Sequence, residues 1–331
     1  MSGRRILDFR AGAPWSDGAW TVHRQASAVA WADPVHPSSE GRRSATWLDA
    51  ARATVRELSG FPQVLFMANR DEAMQRLLSQ PGDYWAAQTN RQRVLEQVQH
   101  QVSVDEHGAA QFPALPRGAI AVLQAANDET GVIDTAASAG HLLDATASFG
   151  RAPLPEGADV VVTSARAWGS PTEVAIVLSR APLGLADTVA VPDVVVAVEQ
   201  LSRVLPAMPA RHAAEAAAMA HFEQVLAASL PDVQFHGRDR VPHIRSLSIL
   251  HLDAETLMRA LDERGYVVGS GSACVLDGRP SHVLAAMGRV THGNLRMALP
   301  WDLELSELET FALVLAETAQ RLRVEAGVAD L

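Results

Sequence analysis

The chain has 331 residues, 48% of them hydrophobic and 20% charged, with a formal net charge of −10 at pH 7. That length suits two domains with a large buried core, and that charge argues against nucleic acid as a main partner. The single cysteine, Cys274, excludes an internal disulfide and a cysteine-rich metal site, and the twelve histidines show no HExxH-type spacing, so no metal is expected. Lys and Arg together number 28, and all 28 are arginine, so the chain contains no lysine. The N-terminal MSGRRILDFRAGAP has arginines with no apolar run behind them, which argues against a signal peptide. No stretch approaches eighteen consecutive apolar residues, so no membrane association is expected and the cytoplasm is the expected location.

Residues 1–18 read as an irregular arm rich in Gly and Pro. From Ser44 to Leu58, Trp47, Ala50, Ala51, Val55 and Leu58 repeat at helical spacing, and Gly60 stops the run. Gln63–Met67 reads as a buried strand and Asp71–Leu78 as a helix. Ala119–Gln124, Leu142–Leu143, Asp159–Thr163 and Val174–Ser179 are further apolar runs. Strands alternating with helices predict a mostly parallel α/β sheet, in which ligands sit at the carboxyl ends of the strands. Those ends are Asn69–Asp71, Asn127–Glu129, Asp144 and Ser164–Trp168. Pro192 to Leu230 reads as helical material interrupted by Pro206 and Pro209. Beyond it, His243–Leu252 and Asn294–Leu299 read as strands. Asp253 caps a helix that Gly265 ends, and Ser306 with Glu309 forms a capping box before the last helix. The expected domains are a large α/β unit at 19–195 with a cofactor-type cleft, and a smaller α+β unit made of 1–18 and 196–331, which carries the Cys274 loop.

Several motifs stand in order along the chain: Leu7–Pro14 (LDFRAGAP), His36–Gly60, Val102–Gly108 (VSVDEHG), Ala126–Val132 (ANDETGV), Asp144–Gly150 (DATASFG), Val267–Gly288 (VVGSGSACVLDGRPSHVLAAMG) and Asn294–Leu299 (NLRMAL). In this order they resemble the NifS/IscS-like cysteine desulfurases, class V aminotransferases of the fold-type I group. The resemblance covers nearly the whole chain. It implies a large domain with a mostly parallel seven-stranded sheet flanked by helices and a smaller α+β C-terminal domain. It also implies pyridoxal phosphate (PLP) as cofactor, held as a Schiff base on a lysine.

The departures fall on the cofactor positions. By the resemblance, the family's Ser-x-His-Lys reads here Ser164-Ala165-Arg166-Ala167: the serine is kept, the histidine is Arg166 and the Schiff-base lysine is Ala167. Arginine is no substitute, because its guanidinium stays protonated. The histidine that stacks on the cofactor ring aligns with Arg91. The phosphate-binding threonine aligns with Asp71, and like charges at about 4 Å repel by roughly 1 kcal/mol in water and more in a cleft; Arg70 is placed to offset it. The second asparagine of NNETG is Asp128, and the glutamine of DATQS is Ala147. Of the RSGT phosphate contact made across a dimer only Thr188 is kept, and the helix between Val132 and His141 looks shortened. Three functional positions match: Asp144 for the carboxylate that pairs with the pyridine nitrogen, Cys274 for the persulfide nucleophile and Arg296 for the substrate-carboxylate clamp.

Each kept residue has a plainer reading beside the functional one. Asp144 is either a cofactor partner or a strand-end residue bonding its own backbone. Arg296 is either a clamp or half of an ion pair. Cys274 is either a reactive thiol, given a positive neighbour such as Arg296 or Arg166, or an inert small residue. Trp168 is expected in the core. Arg91 and Arg166 are expected to form a buried ionic cluster with Asp71, Asp128 and Asp144 in place of PLP. The leading expectation is a protein with no cofactor that has lost desulfurase activity. It acts as a homodimer, or as a heterodimer with an active desulfurase paralogue, or relays sulfur on Cys274 between a donor and an acceptor protein. Two alternatives stay open: an active enzyme with non-covalently held PLP, and a small-carboxylate binding module built on Arg296.

Overall fold

A computed structural model describes residues 4–136, 141–271, 280–291 and 293–328. Its centre is a seven-stranded sheet built from β2 (Gln63–Met67), β3 (Asp83–Ala87), β4 (His100–Val102), β5 (Ala119–Gln124), β6 (His141–Asp144), β7 (Val160–Val162) and β8 (Ala175–Ser179). The strand order is β2-β8-β7-β6-β5-β3-β4. Only β8 runs against its neighbours, pairing antiparallel with both β2 and β7. Two reversals cancel, so β2 points the same way as the parallel set, and the carboxyl ends of β2, β3, β5, β6 and β7 share one edge. β5 and β8 are buried almost throughout, as strands covered on both faces must be.

Helices cover both faces. The sequence reads the arm as irregular, but Arg5–Ile6 forms β1 and a 13-residue helix, α1 (Asp17–Val29), follows, capped by Ser16. Most of its residues are exposed and only Ala26 is buried, so it carries no apolar run of its own. The next helix, α2 (Ser39–Ser59), is longer than its apolar pattern, because Ser38 caps it through Gly41 N and Gly60 closes it at φ +72°. α3 (Arg70–Leu78) starts at the carboxyl edge of β2, and the single turn α4 (Gln92–Leu95) follows β3.

The long helix α5 (Val191–Ser229) corrects the expected interruption: Pro206 and Pro209 lie inside one continuous helix. Both prolines are exposed, so water can hydrate the carbonyls they leave without an N–H partner. The first half of α5, through Val204, packs in the large-domain core with Trp168 and Phe149. Its second half, from Met219, packs with Phe311 and Leu257 in a separate core.

That second core lies under a three-stranded sheet of order β12-β10-β9, formed by β9 (Gln234–His236), β10 (Ile244–Ser248) and β12 (Asn294–Ala298). Helices α6 (Ala254–Glu263), capped by Asp253, and α8 (Glu307–Glu325) complete it. β1 pairs with β11 (Tyr266–Val267), which ties the arm to this unit. The short helix α7 (His282–Ala286) packs through Val283, Leu284 and Met287 against Val104. The capping box expected at Ser306 is absent: Ser306 is already in helical geometry and makes no side-chain cap bond. The N–H groups of Glu307 and Leu308 instead donate to the carbonyls of Glu304 and Leu305 at 3.0 and 3.2 Å, so the start of α8 is satisfied by a preceding turn.

A sealed ionic network spans the seam between the two cores. Arg151 and Glu215 both have fully buried side chains, joined at 2.6 Å. Arg151 also donates to the carbonyls of Leu299 at 2.7 Å and Ala167 at 3.3 Å. Arg211 adds a second bond to Glu215 at 2.8 Å.

Candidate functional site

The loops at the shared carboxyl edge form a cleft of about 660 Å³, lined by charges from the arm, the sheet edge and the small unit. Local hydrogen bonds aim these charges. Asn69 caps α3 by accepting from Glu72 N at 2.9 Å, which places Arg70 and Asp71 on the first turn. Asn90 is fully buried and accepts from Arg91 N at 2.9 Å. Asn127 Oδ1 accepts from the N–H groups of Glu129 and Thr130 at 3.0 and 2.9 Å, while its amide donates to Thr89 O at 2.9 Å. This turn carries Asp128 to the arginines at the cleft wall. Asp144 Oδ1 accepts from Thr146 N at 3.0 Å and from Thr146 Oγ1 at 2.6 Å. The plain reading of Asp144, a strand-end residue bonding the backbone beyond it, therefore describes one of its oxygens.

The other oxygen of Asp144 accepts from Arg91, whose guanidinium also lies 3.5 Å from Asp71 and 3.8 Å from Asp128. Asp128 is the hub: one oxygen pairs with Arg10 and the other with Arg70 at 3.2 Å. Arg70 stands 3.7 Å from Asp71, and Arg93 pairs with Asp71 from the rim at 3.3 Å. Burial alone would raise the Asp128 pKa, but Arg10, Arg70 and Arg91 outweigh it and hold the carboxyl well below the usual carboxylate range. Burial, with Arg10 and Arg91 close by, brings Arg70 down to about 10. For Arg91, burial is outweighed by Asp144, Asp128 and Asp71, and the pKa lies above its ordinary value. Behind Asp144, burial pushes the acid of Asp134 up to about 7 against a bond from Gln124 N, and the charge of Asp144 adds to the rise.

The ionic cluster expected from the sequence thus forms with one correction. Arg166 is not a member: it lines the cleft but pairs with Glu173 there and donates to Arg10 O at 3.3 Å. Arg10 and Arg70 take its place. Arg10 falls at a variable position of the arm motif, so motif alignment carries no signal for it, and only the fold brings it to Asp128.

The remaining positions separate. Ala167, at the position matched to the family's lysine, is fully buried in the large-domain core beside Trp168. Ser164 lines the cleft and makes no side-chain cap bond. Ala147 is buried near Phe9 and Val241, and its carbonyl accepts from His243 at 2.9 Å. Thr188 donates to Glu72 at 2.9 Å within its own chain. Arg296 is paired with Asp8 at 2.7 Å, both side chains being about 95% buried. A Cβ on Gly269 would fall 2.1 Å from Asp8 and 2.8 Å from Arg296, so the glycine is what lets this pair close. Asp8 sits inside the arm motif, and nothing in the motif marks it as the partner of Arg296. Cys274 lies outside the described residues. Among the described residues no cluster of His, Cys, Asp and Glu suits a metal ion, and no helix is long and apolar enough to cross a membrane.

No family model matches the chain. The cysteine desulfurase of Klebsiella pneumoniae is 27% identical over 358 aligned positions, which span 96% of this chain and 85% of that protein. The cysteine desulfurase of Cereibacter sphaeroides is 27% identical over 87% of this chain and 89% of its own length. Over nearly its whole length the chain is similar to NifS/IscS-like cysteine desulfurases. In fold, it is similar to the NifS-like protein of Rickettsia africae, with a TM-score of 0.80, 16% identity, and 96% and 99% of the two chains covered.

This similarity runs against the expectation of a cleft without cofactor, because the relatives are cysteine desulfurases, a PLP-dependent family. What the residues do not fit is PLP tethered through a lysine. The chain has no lysine, and the Asp144 oxygen not used by Thr146 is already bonded by Arg91.

Proposed function

We propose that this chain is a desulfurase-family protein that does not run the lysine-dependent desulfurase reaction and works as a non-catalytic partner in sulfur transfer. It dimerises with itself or with an active paralogue in the cytoplasm, and Cys274 is its sulfur acceptor. The observation that carries this reading is the pairing of Arg91 with Asp144 in a chain without any lysine. The carboxylate that the family turns towards the cofactor ring is here neutralised by the protein itself. Transfer to Cys274 is redox-neutral: its thiolate attacks the outer sulfur of a donor persulfide, the donor sulfur–sulfur bond breaks, the donor leaves as a thiolate, and Cys274 carries the new sulfur–sulfur bond.

The test is incubation with PLP and L-cysteine, reading alanine and sulfide, beside an active desulfurase. No alanine above the protein-free control is expected. Alanine formation in catalytic amounts would overturn the reading. Mass spectrometry of the intact chain, after incubation with an active desulfurase and cysteine, should show one added sulfur atom that is absent in Cys274→Ser.

A second reading, catalysis with PLP held non-covalently, draws support from the PLP dependence of the relatives. It requires a yellow protein after PLP addition and alanine release in the same assay. The third, a small-carboxylate module on Arg296, is weakened because Asp8 already holds that guanidinium.

A further inference from the structure

A second cavity, of about 590 Å³, lies where the arm, the first half of α5 and the turn before α8 meet. Phe9 is its wall towards the cleft, because that residue lines both cavities. The rest of its apolar lining is stiff: Pro14, Trp15, Pro171, Pro300 and Trp301 border it. Trp15 is braced by stacking on Trp20, with ring centres 4.4 Å apart. A preformed cavity of this size, largely apolar and set between two units, is of the kind that takes small molecules.

Charge separates it from the cleft. The cleft is lined by five arginines and three acids, the second cavity by three arginines and four acids. Arg5 pairs with Glu307 and Arg203 with Glu199, while Arg4 is taken by Asp262 outside the lining. Arg151 and Arg211 stand over the Trp301 ring at 5.8 and 5.9 Å, and both are bonded to Glu215. The charge of Asp302 is felt by Arg151. Glu304 is exposed and makes no ion pair among the described residues. One carboxylate is therefore left over beside aromatic walls.

We propose that this cavity binds a small organic monocation, an amine that carries a flat apolar ring. The ring displaces water from the proline and tryptophan walls, and the ammonium answers the uncompensated carboxylate of Glu304. Aromatic walls add to the preference for a cation over an anion. The site uses neither Cys274 nor the ionic cluster of the cleft, so it stands apart from the sulfur-acceptor reading.

Isothermal titration of the full chain with phenethylamine tests this. Saturable single-site binding with a Kd below about 1 mM is expected, a strength open to so small a ligand. Phenylacetate, with the same ring and the opposite charge, should bind at least about tenfold more weakly. Glu304→Gln, at an exposed position, should weaken phenethylamine about threefold. Trp15→Ala should weaken it about tenfold; if that arm variant does not fold, Glu304→Gln decides alone. Arg93→Ala, on the cleft rim, should leave the affinity unchanged. Absence of saturable binding, equal binding of phenylacetate, native affinity in Glu304→Gln, or a loss in Arg93→Ala each overturns the proposal.

Discussion

Two ionic networks in this chain make opposite use of the same residue types. At the seam, Arg151 and Glu215 are sealed from water, with Arg211 reaching in beside them. At the cleft, a network of three arginines and three aspartates borders a cavity of about 660 Å³ that Arg10, Arg70 and Asp71 line, and Arg91 and Asp128 each keep 15% of their side chains exposed. The sealed network bonds backbone carbonyls on both sides of the seam, so its geometry holds two units in register. The cleft network is balanced charge against charge, and water can replace part of what any one member provides. Loss of a partner should therefore be costly in the first and tolerable in the second.

The largest effect is expected at the seam. Glu215→Ala leaves Arg151 buried without its carboxylate and should destabilise the chain by about 5 kcal/mol, the upper end for breaking a buried pair; urea denaturation measures it. A loss under about 1 kcal/mol would mean that the seam is wet and the contrast false. Next comes pH. The Asp134 acid binds its proton more tightly folded, with a pKa of about 7, than unfolded, near 3.8. Between those values the unfolded chain releases a proton that the folded chain keeps, so this group's contribution to stability falls as pH rises from about 4 to about 7, by up to about 4 kcal/mol, and is flat beyond. Asp134→Asn, which keeps the acceptor for Gln124 N, should be the more stable protein at pH 8 and should lose this slope.

Within the cleft, Arg91→Ala should cost about 2–3 kcal/mol, less than the seam variant because solvent reaches Asp144 and Asp128 once the guanidinium is gone. A cost equal to that of Glu215→Ala would erase the distinction between the networks. Arg166→Ala should cost under about 1 kcal/mol, since its pair with Glu173 is largely in water. Smallest of all, Ser306→Ala should change stability by under about 0.5 kcal/mol, because the start of α8 does not use the serine side chain. Thermal or urea unfolding of these variants, taken together, ranks the sites directly.

Much of the fold is legible in the sequence where burial imposes a period. The runs at Gln63–Met67, Ala119–Gln124 and Val174–Ser179 are strands to within a residue, and Asp253 caps its helix as expected. β3 and β4 carry no strand signal of their own: Asp83–Ala87 mixes aspartate, tryptophan and alanine, and His100–Val102 is a short edge strand. Local rules misread α5 and α8, since solvent tolerates Pro206 and Pro209 and a preceding turn replaces the Ser306 cap. In the site, motif alignment singled out Asp71, Arg91, Asp128 and Asp144. It could not supply Arg10, or the Glu173 partner of Arg166, or the Asp8 partner of Arg296.

By itself the sequence determined the chemistry that is available. A chain without lysine has no side-chain amine for a Schiff base, and one cysteine can offer only one thiol. These are properties of residue type and need no geometry. Which charges meet was decided only by the tertiary structure. Arg10, Arg70 and Arg91 come to Asp128 because parallel strands deliver their carboxyl ends to one edge and the arm returns across it. Coulomb attraction at 3 to 4 Å depends on that delivery, and no periodicity in the chain encodes it.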